Sequence, residues 1–461
     1  MVFKYDLAEG IAQLSYLIGD DSAGVAAVID PRPDCDIYLT WARNFGVAIT
    51  HIIETHNHAD FMSGARELSK RCGAPIHLAP EPDQDYGFEF QNIDDATVFS
   101  FGSTTLTARK TPGHTLAHIA LEGAEQGKEE NPWGVFTGDS LFVNSAGRPD
   151  LSDQAERLTG LLYDTLYEYF LGLDDAVIIY PCHGKGSACG ANIGDRLQST
   201  IGYERRNNPF LQFDTREEFS VFVKSGSPPE PTHYARLKRT NAHGPPVLGG
   251  QPAIPGLPPN AFLQAAESAK FQVVDSRSIL AFSGGYVPGA INIADQAELS
   301  VYAGWMLDPE KPILLIVEDD TRLDRVLDLF RRTGFVQFAG YLAGGMTAWA
   351  NAGMSLETLP QISIHELRAN GRDTQILDVR SPQEWKEGHI PGASHYFIGD
   401  MRTGMPDLDK KKPVTTYCGS GYRASIAASI LQANGFEAVQ NVPGSWNAWQ
   451  SAGYPVEKDR N

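Results

Sequence analysis

The chain has 461 residues of ordinary globular composition, too many for one core, so two or three domains are expected. Its formal charge of −19 argues against nucleic acid or an acidic membrane surface as a partner. No signal-peptide pattern and no membrane-length apolar run is present, and the cysteines Cys35, Cys72, Cys182, Cys189 and Cys418 are odd in number and lack zinc-ribbon spacing; free thiols and a cytoplasmic location are expected.

In chain order, Gln13–Ile18 and Gly24–Asp30 read as two strands joined by an Asp/Ser/Gly turn, and Asp36–Phe45 has helical spacing. The apolar, β-branched run Val47–Ile53 predicts another strand. It delivers Glu54-Thr55-His56-Asn57-His58-Ala59-Asp60-Phe61 to the loop at its C-terminal end, where chemistry usually sits. Helical spacing from Phe61 to Cys72 would aim first-turn N–H groups at that loop. His77, in an apolar run, fits a hydrogen-bonded strand residue better than a ligand. Three further strands end in polar stops: Thr104–Arg109 before Thr111-Pro112-Gly113-His114, Trp133–Thr137 before Asp139, and Ala176–Tyr180 before Cys182-His183-Gly184. Thr215–Lys238 is helical with a break at 225–229. Gly244–Pro259, with six prolines, reads as a linker or strap at a domain boundary.

The paired imidazoles, the nearby carboxylate and the later His, Asp and His offer nitrogen and oxygen donors to one borderline metal ion. Together they resemble the metallo-β-lactamase superfamily, with its T-H-x-H-x-D-H stretch followed by a lone His, a lone Asp and a last His. The resemblance covers roughly the first half of the chain and implies an αββα sandwich with the metal between the sheet edges.

One departure matters. Phe61 stands where binuclear zinc hydrolases of this superfamily, such as glyoxalase II, place a histidine. A benzyl group cannot coordinate, so one mononuclear site is expected. That looks like the persulfide dioxygenases, whose single Fe(II) ligands match His56, His114 and Asp139 here. Two neutral imidazoles and one carboxylate leave three positions open for persulfide sulfur and O2. His58, Asp60 and His183 then orient the ligands and hold water. The alternative is that His58 ligates a single zinc ion that activates water.

The same resemblance marks His118 as structural. It makes Asn144–Asp150 similar to a G-R-x-D loop in which Arg148 would fork a carboxylate of the thiol carrier, or else pair with Asp150. In the glycine-rich stretch Cys182–Gly190, Lys185 replaces the aromatic residue of glutathione-using members and is expected to meet a phosphate or another acidic handle. Cys189 is either a holder of transferred sulfur or a buried small residue.

The remaining 200 or so residues hold an internal repeat. Asp275-Ser276-Arg277 and Tyr286-Val287-Pro288-Gly289-Ala290 answer Asp378-Val379-Arg380 and His389-Ile390-Pro391-Gly392-Ala393. With C-x-x-G-x-R, these landmarks resemble rhodanese sulfurtransferases. In the second copy Cys418 opens a glycine-bearing loop onto a helix N-terminus, with Arg423 adding positive charge; such surroundings lower a thiol's pKa and cradle a persulfide anion. In the first copy Val317 takes the cysteine's place, Glu318-Asp319-Asp320 replaces the loop, and Arg322 answers Arg423. That copy is expected to be catalytically silent.

The expected fold class is therefore α/β: a metallo-β-lactamase sandwich over 1–250, an inactive rhodanese-like domain over 251–357 and an active one over 358–461. This order resembles bacterial persulfide dioxygenase–sulfurtransferase fusions of sulfide detoxification. The expected activity is iron-dependent oxidation of a low-molecular-weight thiol persulfide by O2 to sulfite, with Cys418 making thiosulfate or using it. Two alternatives stand: a zinc thioester hydrolase with an appended rhodanese, and a sulfur carrier or sensor without turnover. The resemblance also implies a homo-oligomer, a dimer or tetramer.

Overall fold

A computed structural model of the chain describes all residues except 83, 152–153, 227, 251–252, 372 and 459–461. The boundary expected at 251 and Ser227 of the expected helix break lie outside the described residues. Two compact units appear, one of residues 1–251 with 331–334, the other of 252–330 with 335–461.

The first unit is built on two six-stranded sheets. One runs Val2–Ala8, Gln13–Asp20, Val25–Ile29, Ala48–Ile53, Ile76–Leu78, Gln91–Asn92. The other runs Ser199–Thr200, Ile178–Pro181, Gly134–Gly138, Ile119–Glu125, Thr104–Lys110, Val98–Phe101. Successive strand side chains point to opposite faces, so each strand feeds two cores. Leu14, Tyr16, Ile18, Phe136 and Tyr180 fill the space between the sheets. Leu17, Val28 and Ile52 face outward against Tyr38, Ala42 and Leu68 of the helices Asp36–Phe45 and Ala65–Cys72. Val135 and Ile179 face outward on the other sheet, against Leu162, Phe170 and Phe219. The layers are αββα.

Local differences from expectation have physical causes. The first strand, Val2–Ala8, escaped the pattern because all five of its central residues are partly or fully exposed at the sheet edge, and only its two ends are buried. The helix expected from Phe61 begins at Ala65. Before it, the Ser63 N–H donates to Asn241 Oδ1 at 2.9 Å and the Gly64 N–H to the Pro31 carbonyl at 2.7 Å, so these amides leave the helix and do not face the loop. His77 does lie in a strand, stacked on His51 at 5.1 Å, but its Nε2 has no hydrogen-bond partner.

The second unit holds two parallel sheets. The first copy orders Gly256–Leu257, Phe338–Leu342, Ile313–Ile316, Gln272–Asp275, Ile291–Asn292; the second orders Ser394–His395, Gln375–Asp378, Val414–Tyr417, Val439–Asn441. Helices alternate with strands, as parallel connections require. One apolar cluster runs through both copies, from Phe262 and Phe330 to Ile426 and Phe436. Asn292 and Ser425 are bonded across it, Ser425 Oγ donating to Asn292 Oδ1 at 2.7 Å. No helix among the described residues is long and apolar enough to cross a membrane.

Candidate metal centre and cysteine loop

The loop after strand Ala48–Ile53 is almost wholly buried, and one residue outside it explains how. Asp30 ends the neighbouring strand in a left-handed conformation, φ 49°. Its carboxylate accepts from the Thr55 N–H at 2.8 Å and the Thr55 hydroxyl at 2.9 Å, and lies 3.1 Å from His58 Nε2. Because the Thr55 hydroxyl gives its proton to Asp30, its oxygen accepts from His56 Nδ1 at 2.9 Å. His56 Nε2 is left with a bare lone pair.

His114 is set the same way. Its Nδ1 lies 3.0 Å from the Arg148 carbonyl, which can only accept, so Nε2 carries no proton. His56 Nε2 and His114 Nε2 stand 3.7 and 3.6 Å from Asp139 Oδ2. The rings are 5.0 Å apart and nearly perpendicular. All three ligand atoms lie within 4.8 Å of one another in a buried pocket. His56 Nε2 and Asp139 Oδ2 have no hydrogen-bond partner. Buried polar atoms are rarely left so, and a divalent cation satisfies both. The donor set fits a metal ion.

Electrostatics agree with that role. Burial, reinforced by the surrounding imidazoles, pushes His56 well below the usual histidine range; burial also lowers His114. Both are neutral ligands. Burial would raise the Asp139 carboxyl, but contact with His183 outweighs it and holds Asp139 below the ordinary carboxylate range. His183 reaches Asp139 Oδ1 with Nδ1 at 2.7 Å, and its Nε2 lies 2.7 Å from Asp60 Oδ2. His58 is opposed by burial, yet Asp30 pushes it up to about 9. His118 accepts from the Asp139 N–H at 2.9 Å through Nε2, so that lone pair is occupied. Gly138, φ 52°, allows this approach: a Cβ there would sit 2.5 Å from His118 Nε2. Phe61 is fully buried, its ring 4.4 Å from His58 and 6.4 Å from His183.

The three residues expected to bind substrate are placed differently. The Arg148 fork is taken by Asp150, at 3.1 and 2.7 Å, and by the Ala188 carbonyl at 3.2 Å. The pair prevails over the free carboxylate receptor, and Arg148 serves the site through its carbonyl. Lys185 is exposed and pairs with the exposed Asp195 at 2.6 Å. Cys189 is buried, its Sγ 3.7 Å from the Tyr234 hydroxyl and within 4.8 Å of Asp60 and His183 donors. A cavity of about 350 Å³ adjoins Ala59, Leu151 and Tyr234, with Lys238 and Arg239 on its wall. Asp30 and Lys238 were not singled out from sequence; an Asp closing an apolar strand before a proline was the available signal for the first.

In the second unit Cys418 ends the strand Val414–Tyr417 and is buried. The Gly421 N–H donates to its Sγ at 3.1 Å, just before the helix Tyr422–Ala433. Loop carbonyls are tied down from another helix: Trp446, Asn447 and Gly444 N–H groups donate to Cys418, Gly419 and Ser420 at 2.9, 3.0 and 2.9 Å. Arg423 does not face the sulfur as a free charge. Glu384 binds it through both oxygens, at 2.6 and 2.7 Å. Tyr302, from the first copy, lies near this group, its ring 5.7 Å from that of Tyr422; burial raises its phenol, with Cys418 and Arg423 acting on it in opposite senses.

An αββα sandwich with converging imidazoles and a carboxylate at its sheet edges, joined to two parallel units of which one carries a cysteine loop, defines a metal-binding enzyme of the metallo-β-lactamase type with rhodanese domains. Sequence comparison agrees. The Metallo-beta-lactamase superfamily profile matches residues 9–183, and the Rhodanese-like domain profile matches 258–352 and 363–452. A hydroxyacylglutathione hydrolase of Rhodospirillum rubrum is 30% identical over 245 residues, 49% of this chain and 92% of its own. The crystal structure of a metallo-beta-lactamase from Staphylococcus aureus covers 74% of this chain and 98% of its own at 30% identity, with a TM-score of 0.66. ETHE1 from Myxococcus xanthus covers 53% of this chain and 99% of its own at 26% identity, with a TM-score of 0.45. The chain belongs to the metallo-beta-lactamase superfamily, extended by tandem rhodanese-like domains.

Proposed function

We propose that the chain is a non-haem iron persulfide dioxygenase coupled to sulfur transfer at Cys418. The observation that carries this reading is Phe61. It fills the position beside Asp60 with carbon, and leaves His56, His114 and Asp139 as a three-donor set. Iron(II) bound by these three residues would supply open coordination positions and redox chemistry for a persulfide and O2.

The protein's own residues prepare that encounter. Thr55 and the Arg148 carbonyl fix both imidazoles with Nε2 toward the ion, and His183 keeps Asp139 ionised. Lys238 and Arg239 on the cavity wall suit an anionic thiol carrier. The overall change balances as RSSH + O2 + H2O giving RSH, sulfite and two protons. Cys418 carrying a sulfane sulfur then hands it to sulfite, giving thiosulfate and free Cys418 thiol; the reverse exchange loads Cys418 from thiosulfate.

The test is metal analysis of protein purified without added metal, paired with oxygen-electrode traces on low-molecular-weight persulfides. Iron near one equivalent with O2 uptake that is lost in Asp139→Ala supports the reading. Zinc with no O2 uptake sinks it. A second reading, a zinc thioester hydrolase, is favoured by the 30% identity to a hydroxyacylglutathione hydrolase. It predicts thioester cleavage by the zinc-loaded protein and no oxygen consumption.

A further inference from the structure

We infer that Arg332 is a positioning residue for the metal centre: its guanidinium, seated on Asp34, braces the turn and the loop that hold Phe61 against His58.

The first unit takes in residues 331–334, although the repeat places them in the first rhodanese-like copy. Counting back from the Gly-Phe that both copies share, Gly334-Phe335 and Gly435-Phe436, Arg332 answers Ala433. Each ends the matching helix, Leu323–Arg332 in one copy and Tyr422–Ala433 in the other. Ala433 is exposed, whereas Arg332 is only 7% exposed. Burial of a charged side chain at this helix end is therefore no demand of the rhodanese-like fold.

The contacts of Arg332 converge on the metal loop. Nη2 donates to Asp34 Oδ2 at 2.8 Å and Nε to Asp34 Oδ1 at 3.3 Å, a fork between two nearly buried side chains. Such a pair is stiff, because pulling it apart leaves a charge without its partner away from water. Nη1 donates to the Glu9 carbonyl, and the Arg332 carbonyl accepts from the Met62 N–H at 2.8 Å. Glu9 lies between Ala8 and Ile11, which pack with Phe61 in one buried cluster, and Met62 follows Phe61 directly. One residue thus ties down both sides of Phe61. From there the contacts run on to a ligand. The Phe61 ring is 4.4 Å from His58, His58 Nε2 is 3.1 Å from Asp30, and Asp30 fixes the Thr55 hydroxyl that orients His56. Residues behind a ligand set its direction, and with it the affinity for the ion.

This role rests on the three-donor metal centre and not on the persulfide reading, and the two fail separately, because cobalt(II) bands report ligand geometry whatever reaction the protein catalyses. Full-length protein stripped of metal is titrated with cobalt(II). Arg332→Gln is expected to weaken binding about tenfold and to shift the visible bands, in protein that stays folded at the titration temperature. Asp34 also lies 3.0 Å from Arg32 Nε, so the carboxylate keeps a cation beside it in that variant. Asp34→Asn, which leaves the arginine but weakens its seat, is expected to move affinity and bands in the same direction, and it carries the test if Arg332→Gln does not fold. Phe61→Leu takes the ring from His58; adding Arg332→Gln to it is expected to bring little further loss, because both changes act along one route. Wild-type affinity and bands in the folded Arg332 and Asp34 variants, even with lowered unfolding midpoints, overturn the inference. Full additivity of Arg332→Gln and Phe61→Leu overturns the route through Phe61. Absence of O2 uptake sinks the persulfide reading and leaves these results standing.

Discussion

In the first rhodanese-like copy the strand Ile313–Ile316 ends at Val317, and in the second the strand Val414–Tyr417 ends at Cys418. Below those ends the copies share a buried ion pair, its carbonyl contact and a tryptophan bond. Arg277 forks Asp275 at 3.0 and 2.6 Å and reaches the Gly285 carbonyl; Arg380 forks Asp378 at 3.0 and 2.6 Å and reaches the Gly388 carbonyl. Trp349 and Trp449 donate to backbone carbonyls at 2.9 and 2.8 Å. Above the strand ends they part. The Asp319 side chain closes its own loop by accepting from the Thr321 N–H at 2.9 Å, where the second copy offers the Gly421 N–H to a sulfur. The first copy keeps the contacts of its core and has a valine where the second has a cysteine. It also carries part of its neighbour: the helix that follows the Cys418 loop bonds to it through Tyr422 to the Ala294 carbonyl at 3.0 Å and through Ser425 and Ser429 to Asn292.

That contrast can be broken most sharply at the cysteine. Cys418→Ser is expected to lower thiosulfate formation by about a thousandfold or more, because a hydroxyl neither accepts sulfane sulfur nor ionises near neutral pH. Persulfide-dependent O2 uptake stays unchanged; loss of both activities with metal retained contradicts separate sites. Next in size is the buried pair common to both copies. Asp378→Ala and Asp275→Ala each strand a buried guanidinium and are expected to cost about 3–5 kcal/mol in urea unfolding. A clearly smaller loss in the first copy would show that its scaffold has relaxed along with its loop.

Asn292→Ala, which removes the acceptor of Ser425 but keeps the backbone N–H donated to Ser429, is expected to cost about 1–2 kcal/mol and to lower sulfur transfer although it lies in the first copy. Unaltered transfer would confine that copy to spacing. A pH test comes next. Glu384 is opposed by burial, but Arg423 lowers its carboxyl to about 2, from an ordinary value of 4.5. Its folded pKa is depressed, so its contribution is present above 4.5 and fades as pH falls toward 2. Glu384→Gln should therefore be less stable than wild type in urea near neutral pH and converge with it in acid. The smallest expected effect is a null one. Val317→Cys should gain no sulfane sulfur by intact mass, because Asp319 and the turn Asp320–Arg322 occupy the loop that would hold the anion. Loading at that cysteine would show that one side chain alone silenced the copy.

The layers and most strands were legible because alternation and β-branched runs report burial on two faces, and the repeat was legible because its landmarks recur in the same order. The donors His56, His114 and Asp139 stood out as polar stops at strand ends. Side chains with a local partner are the ones the sequence does not place. Arg148 and Lys185 carry charges that suit an anion, yet Asp150 and Asp195 neutralise them, and Arg423 is likewise held by Glu384. Charge type is written in sequence, whereas whether a charge is free depends on which neighbour the fold brings within 3 Å.

By itself, then, the sequence determined which side chains offer metal donors or a thiol, since donor type and nucleophilicity are properties of residue type. The tertiary structure alone decided their company. It placed Asp30 behind Thr55 and His58, turned the Arg148 carbonyl to His114, and brought Cys189 beside Asp60 and His183. Those contacts join residues far apart in the chain, and hydrogen-bond direction and burial arise only when the sheets close on each other.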